Sequence, residues 1–232
     1  EPGLKKFGLE NEKVLALFIT HGHFDHYLGA DQIRQKTGCE VGLSEADTAF
    51  MVWSKENVDE NGDFKVAPVP RVTFLVRDGE DFKFGDHVIH AMIPGGHTPG
   101  CLNFSFDVHE GSETHRVIMC GGFGIFGWDA YPDGLYTYGV NWSVREACTF
   151  AASSAETWEY VKSHNCDVYI NPHPHLCDFF KYAEMNKSRK EGEPNAFAIG
   201  KEGVRKYIAD RFREALDSTA RFSDIEKEYI EE

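Results

Sequence analysis

Val14-Leu15-Ala16-Leu17-Phe18-Ile19-Thr20-His21-Gly22-His23-Phe24-Asp25-His26 sets the reading of the whole chain. The unbroken apolar run from Val14 to Ile19 has the length of a strand buried on both faces, and it predicts a strand over 14–20. Three histidines and one aspartate then fall within six residues. A divalent metal needs this pattern: neutral imidazole lone pairs and an ionised carboxylate converging on a small volume at the end of a rigid element. On so tight a loop His21 and His23 can share one side while Asp25 and His26 face another. That suits two adjacent metals rather than one. The alternative is a solvated polar loop, but unpaired histidines clustered beside a core strand are rare without a metal.

Two further stretches repeat the device of a strand that ends in a histidine. The predicted strand His87–Ile93 runs into Pro94-Gly95-Gly96-His97-Thr98-Pro99-Gly100, a glycine/proline turn that would hold His97 stiffly. The predicted strand Cys166–Asn171 delivers His173 between two prolines. His175 competes for the same place; His173 is preferred because it follows the strand directly. Strands that each end in one ligand are how an α/β scaffold assembles a site from distant sequence.

Between these landmarks the chain alternates strand and helix, then becomes all-β, then helical. Gly29–Lys36 is predicted to be a short helix stopped by Gly38, and Glu40–Leu43 a strand. Ser44, with Asp47 three residues on, reads as the N-cap of a helix through about Trp53. The polar segment Lys55–Pro70 reads as a surface loop. Strands are predicted over Val72–Val76, Phe82–Phe84, Leu102–Val108 and Val117–Cys120, punctuated by Asp78-Gly79, Gly85-Asp86 and Glu110-Gly111 turns. Gly121–Asn141 is a long glycine- and aromatic-rich loop. Ser143-x-x-Glu146 opens a helix to about Ser163, and the remainder, including Gly203–Ser218, is helical. With no internal repeat, residues 1–232 read as one domain.

Composition bounds the function classes. The chain is 41% hydrophobic, 13% aromatic and 27% charged, with a formal charge of −14. That charge argues against a nucleic-acid partner, which draws on basic patches. No apolar run approaches the ~20 residues of a membrane helix. Six cysteines lie scattered without a CxxC, which argues against a small disulfide scaffold and for buried thiols. The chain opens at Glu1 without a methionine, so a targeting segment could lie upstream and no compartment follows.

The His-x-His-x-Asp-His loop, the Gly-His-Thr-Pro-Gly turn and the late Asn-Pro-His segment resemble the metallo-β-lactamase superfamily, in the right order and across most of the chain. The resemblance implies an α/β fold of αββα type with two zinc ions at one edge of its paired sheets. It implies His21, His23 and His97 on the first metal, and Asp25, His26 and His173 on the second. Asp25 would also orient the attacking water and carry its proton. The implied reaction is hydrolysis of a small-molecule carbonyl, a β-lactam-like amide or a lactone or ester, by a metal-activated hydroxide.

Two departures from the family pattern refine this. Many members place a metal-bridging aspartate after the strand that here reads Arg116-Val117-Ile118-Met119-Cys120, but this chain continues Gly121-Gly122-Phe123-Gly124. The ligand set then resembles the lactamase subclass with three histidines on one zinc and Asp-His-His on the other. Gly192–Phe197 with the following helix is similar to that subclass too. Cys120 lies one residue before a position where other subclasses place a cysteine ligand; a buried, inert thiol is the preferred reading. Family members also carry several strands ahead of the histidine loop, whereas 20 residues precede His21 here. Much of the first sheet is therefore expected upstream, and its uncovered face would meet that missing segment or a second copy of the chain.

Three matters stay open at this level. Phe123, Phe126, Trp128, Tyr131, Tyr136, Tyr138 and Trp142 could line a pocket beside the metals or cover the sheet edge. A phosphodiesterase, nuclease or sulfatase of the same superfamily is the alternative enzyme, and a non-catalytic metal-binding fragment the alternative to an enzyme. His87, His90, His109 and His115 read as ordinary surface or packing residues.

Overall fold

The computed structural model describes residues 5, 8–56, 69–122, 124 and 144–231. Its strands form two sheets. In the first, β1 (Ala16–Phe18), β2 (Glu40–Ser44) and β3 (Phe74–Val76) run parallel in that order. Helices α1 (Phe24–Tyr27), α2 (Ala30–Thr37) and α3 (Glu45–Glu56) fill the crossovers that parallel strands require. Gly38 closes α2 in the left-handed conformation, φ 71°, as its glycine stop signal predicts. The second sheet has the order β4 (Asp81–Phe84), β5 (His87–Met92), β6 (Asn103–Glu110), β7 (Glu113–Cys120) and β8 (Val168–Ile170). Its first four strands are antiparallel neighbours joined through the predicted turns, and β8 joins β7 in parallel after α4 (Val144–His164).

The two sheets bury their facing sides against each other. Ile19, Val41, Leu43 and Val76 from the first meet Ala91, Leu102 and Phe104 from the second in one core. Phe18, partly buried, packs against it edge-on to Phe74, Phe82 and Phe104 with ring centroids 5.0–5.6 Å apart. Full burial of one such side chain stabilises by roughly 1.5–3 kcal/mol, and edge-to-face pairing adds about 0.5–1.5 kcal/mol. The other face of the second sheet packs Ile118, Cys120 and Tyr169 against Val161 of α4 and Val204 and Ile208 of α6 (Gly200–Glu231). With α2 and α3 against the first sheet, the layers are α, β, β, α.

The departures from the sequence reading are local. Strand β1 is three residues long rather than seven; at its C-terminal end Ile19 makes the last bond to β2, and Thr20 turns to the second sheet. The histidine loop contains a one-turn helix, α1, too short to leave a periodic signal. Helix α5 (Phe179–Lys187) divides the C-terminal helical region. All six cysteines are free thiols, five of them buried. No helix among the described residues is long and apolar enough to cross a membrane. Ser143 and the seven aromatic residues from Phe123 to Trp142 lie outside the described residues.

Candidate metal centre

The histidine loop is held where the two sheets meet. Ile19 N donates to Gly42 O of β2 at 2.9 Å, and one residue later Leu102 N, at the entry to β6, donates to Thr20 O at 2.9 Å. The backbone is thus tied to one sheet and then the other immediately before His21. The turn after β5 brings His97 to the same edge. Beyond β8, Asn171 fixes the third segment: its Nδ2 donates to Cys120 O at 2.9 Å, and its Oδ1 accepts from His173 N at 2.9 Å. That side chain carries His173 to the mouth of the fold.

All six sequence-predicted residues converge, as two clusters. His21, His23 and His97 offer ligand atoms lying within 4.8 Å of one another, and so do Asp25, His26 and His173. In the first, His97 Nε2 is 3.1 Å from His21 Nε2. In the second, His26 Nε2 is 3.0 Å from His173 Nε2, with Asp25 Oδ2 3.5 and 3.6 Å from those two nitrogens. His175 joins neither; its ring is 5.6 Å from that of His173. Cys120 faces the helix-covered core, where burial pushes its thiol pKa up. His90, His109 and His115 pair instead with Asp81, Thr114 and Asp167.

The tautomers fit a metal. His97 Nδ1 lies 2.9 Å from Gly124 O, which can only accept, so Nδ1 carries the proton and Nε2 presents a lone pair. Thr20 Oγ1 stands 3.2 Å from His21 Nδ1 and 3.3 Å from His26 Nδ1. One hydroxyl oxygen can accept from both, turning an Nε2 lone pair into each cluster. Burial, reinforced by the neighbouring histidines, holds His21 and His97 well below the ordinary imidazole pKa. Burial likewise lowers His23 to about 4, and lowers His173. The adjacent His26 ring lowers Asp25 to about 2. At neutral pH these shifts leave neutral nitrogens and an ionised oxygen, the protonation states that metal binding demands.

Two features were missed or misassigned by sequence reasoning. Thr20 and Asn171 carry no motif of their own; a hydroxyl beside the histidine loop and an asparagine before His173 were the only signals. The glycine pair after β7 needs a correction. Of Gly121 and Gly122, it is Gly122 that faces the centre: a Cβ there would lie 2.3 Å from His97 Cδ2, whereas one on Gly121 would strike Leu102 O. The His97 ring fills the space a side chain at 122 would take.

Residues 1–110 match the Metallo-beta-lactamase superfamily. A hydroxyacylglutathione hydrolase of Rhizobium johnstonii is 26% identical over 114 residues, 47% of this chain and 37% of that protein. A mitochondrial persulfide dioxygenase of Bos taurus is 25% identical over 122 residues, 52% of this chain and 39% of that protein. The chain therefore spans less than half the length of these curated relatives. The subclass B3 metallo-beta-lactamase BJP-1 of Bradyrhizobium japonicum has a similar structure, with a TM-score of 0.74 over 97% of this chain and 79% of that one at 21% identity. That likeness extends the shared fold to the half of the chain carrying His173. Five of the six clustered residues fall in residues 1–110, the segment that matches the Metallo-beta-lactamase superfamily, at the edge of a fold similar to that lactamase's.

Proposed function

We propose that the domain is a metal-dependent hydrolase that takes two zinc ions, one on His21, His23 and His97 and one on Asp25, His26 and His173. Its substrate is a neutral or singly anionic carbonyl compound: a β-lactam-like amide, a lactone or an ester. The observation that carries this reading is the seating of the His97 ring over Gly122. A carboxylate side chain at that position would collide with the ring, and among the described residues no further carboxylate joins the two clusters. Less negative charge between the clusters leaves the pair more electropositive toward a developing oxyanion.

Bound zinc would supply Lewis acidity and lower the pKa of a water from ~15.7 toward ~7. The protein's own part is orientation and charge. His21 and His97, with their rings fixed by Thr20 and Gly124, form the dry side of the site. Asp25 is 42% exposed and lies on the open side. Its low pKa keeps the carboxylate ionised, so Oδ2 serves as an acceptor that orients a water proton. The curated relative named hydroxyacylglutathione hydrolase supports a carbonyl centre and adds thioesters to the substrates worth testing.

The test is a side-by-side assay of the zinc-loaded protein on nitrocefin, simple lactones, an acyl thioester and bis-p-nitrophenyl phosphate, with and without chelator. Turnover of a carbonyl substrate that chelation abolishes is expected. A clear preference for the phosphodiester, abolished by chelator, would overturn the substrate class.

A further inference from the structure

We propose that Asp47 is the positioning residue of the three-histidine cluster, its carboxylate tying the loop that bears His21 and His23 to the loop that bears His97. This rests on the metal-binding reading above and touches neither metal nor substrate. Asp47 is fully buried, 0% exposed, on the first turn of α3. Its position after Ser44 reads as a capping box, and half of that box forms: Asp47 N donates to Ser44 Oγ at 3.2 Å. The carboxylate, however, turns away from the helix. Oδ2 accepts from Gly22 N at 2.7 Å and from Thr98 Oγ1 at 2.6 Å, and Oδ1 accepts from Gly100 N at 2.6 Å. Gly22 lies between two histidines of the cluster and Thr98 directly follows the third.

The loops are 76 residues apart in sequence between His21 and His97, and this side chain joins them. Ser44 Oγ strengthens the joint by donating to Gly100 O at 2.7 Å. The fit is close: a Cβ on Gly100 would lie 2.1 Å from Ser44 Oγ and 2.8 Å from Asp47 N. A carboxylate suits this place because all three partners donate and both its oxygens accept. Asparagine offers one acceptor oxygen. Whichever way it is turned, its NH2 faces a backbone N–H, of Gly100 or of Gly22, so at least one of the three bonds becomes a donor facing a donor and the joint is weakened.

The experiment is zinc titration of the wild-type protein and Asp47→Asn, with both sites resolved, together with the visible spectrum of the cobalt-substituted forms. The three-histidine site of Asp47→Asn is expected to lose ~10–100-fold in affinity, the range for groups that orient metal ligands. The Asp25/His26/His173 site should change less than about threefold, and the cobalt band of the first site should shift. Equal weakening of both sites would make Asp47 a general stability residue and overturn the proposal, as would unchanged affinity and spectrum in a folded variant. If Asp47→Asn fails to fold, Thr98→Val is read by the same criteria, with a selective loss of ~3–10-fold expected from one missing hydrogen bond. Wild-type protein that takes up no metal would overturn the metal-centre reading and this proposal with it; a wild type that binds two ions beside a variant lacking selective loss would overturn only the proposal.

Discussion

The two clusters share one loop and the hydroxyl of Thr20, yet water reaches them very differently. His21 and His97 are 0% and 4% exposed and the side chain of His26 only 8%, whereas the side chains of Asp25 and His173 are 42% and 35% exposed. The closed cluster has only neutral ligands, each fixed by packing or a hydrogen bond. The open cluster has the one carboxylate and the one ligand delivered from the far end of the sequence. A closed, preorganised set suits permanent retention of an ion, while an open set leaves a side on which water and substrate can exchange. In the proposed enzyme the closed cluster holds its ion and the open cluster gives access.

The sharpest way to break this comparison is to remove one ligand from each side. His97→Ala should lower zinc affinity at the closed cluster by more than ~100-fold, beyond the 10–100-fold range for residues that only orient ligands, because it removes one of three proposed ligands where water has little access. His173→Ala should weaken the open cluster by a smaller factor, since a water can enter there. Zinc content after equilibrium dialysis would separate the two; equal losses would mean that burial does not govern retention.

Gly122→Ala acts on the closed cluster alone. A methyl group 2.3 Å from His97 Cδ2 must displace the ring. We expect a loss of about 1–3 kcal/mol in unfolding free energy, as for overpacking elsewhere, with weaker zinc binding at the closed cluster and little change at the open one. An unchanged melting temperature and zinc titration would show that His97 can move at no cost.

Proton linkage should separate the histidines of both clusters from Asp25 along the pH axis. The buried histidines have folded pKa values below the ordinary 6.5, about 4 for His23, so the folded state binds fewer protons than the unfolded one between those limits. Their contribution is present above pH 6.5 and is lost as pH falls from there toward 4. Asp25, lowered from 3.8 to about 2, contributes above pH 3.8 and loses that contribution as pH falls toward 2. The melting temperature of the metal-free protein should therefore fall from about pH 6.5 downward. Asp25→Asn should abolish the lower window and depress His23 and His173 further, because the charge of Asp25 raises both; a lower window that persists in the variant would refute the assignment.

The smallest effect should come from His175→Ala. His175 is exposed and outside both clusters, so stability should move by less than about 0.5 kcal/mol and zinc stoichiometry should be unchanged. Loss of an ion would place His175, rather than His173, in the open cluster.

Much of the centre was legible because its signals are local. A buried strand, a crowded histidine loop and two proline- or glycine-framed histidines each lie within a few consecutive residues. What escaped depends on direction and distance. Asp47 carries the sequence signature of a helix cap, and nothing in Ser44-Glu45-Ala46-Asp47 tells where its carboxylate turns. Gly121 and Gly122 are adjacent and identical, and only the backbone reveals which one the His97 ring covers. The four-residue helix carrying Asp25 and His26 is shorter than the period by which helices are recognised.

The sequence by itself therefore determined the layered α/β architecture and the six residues that meet at its edge, because hydrophobic runs and ligand-rich turns are properties of neighbouring residues. Only the tertiary structure decided which of the two expected triads is closed and which is open, and that Thr20, Asp47 and Asn171 orient them. Burial and hydrogen bonding between segments as far apart as His26 and His173 arise when the sheets pack together, and no local pattern encodes them.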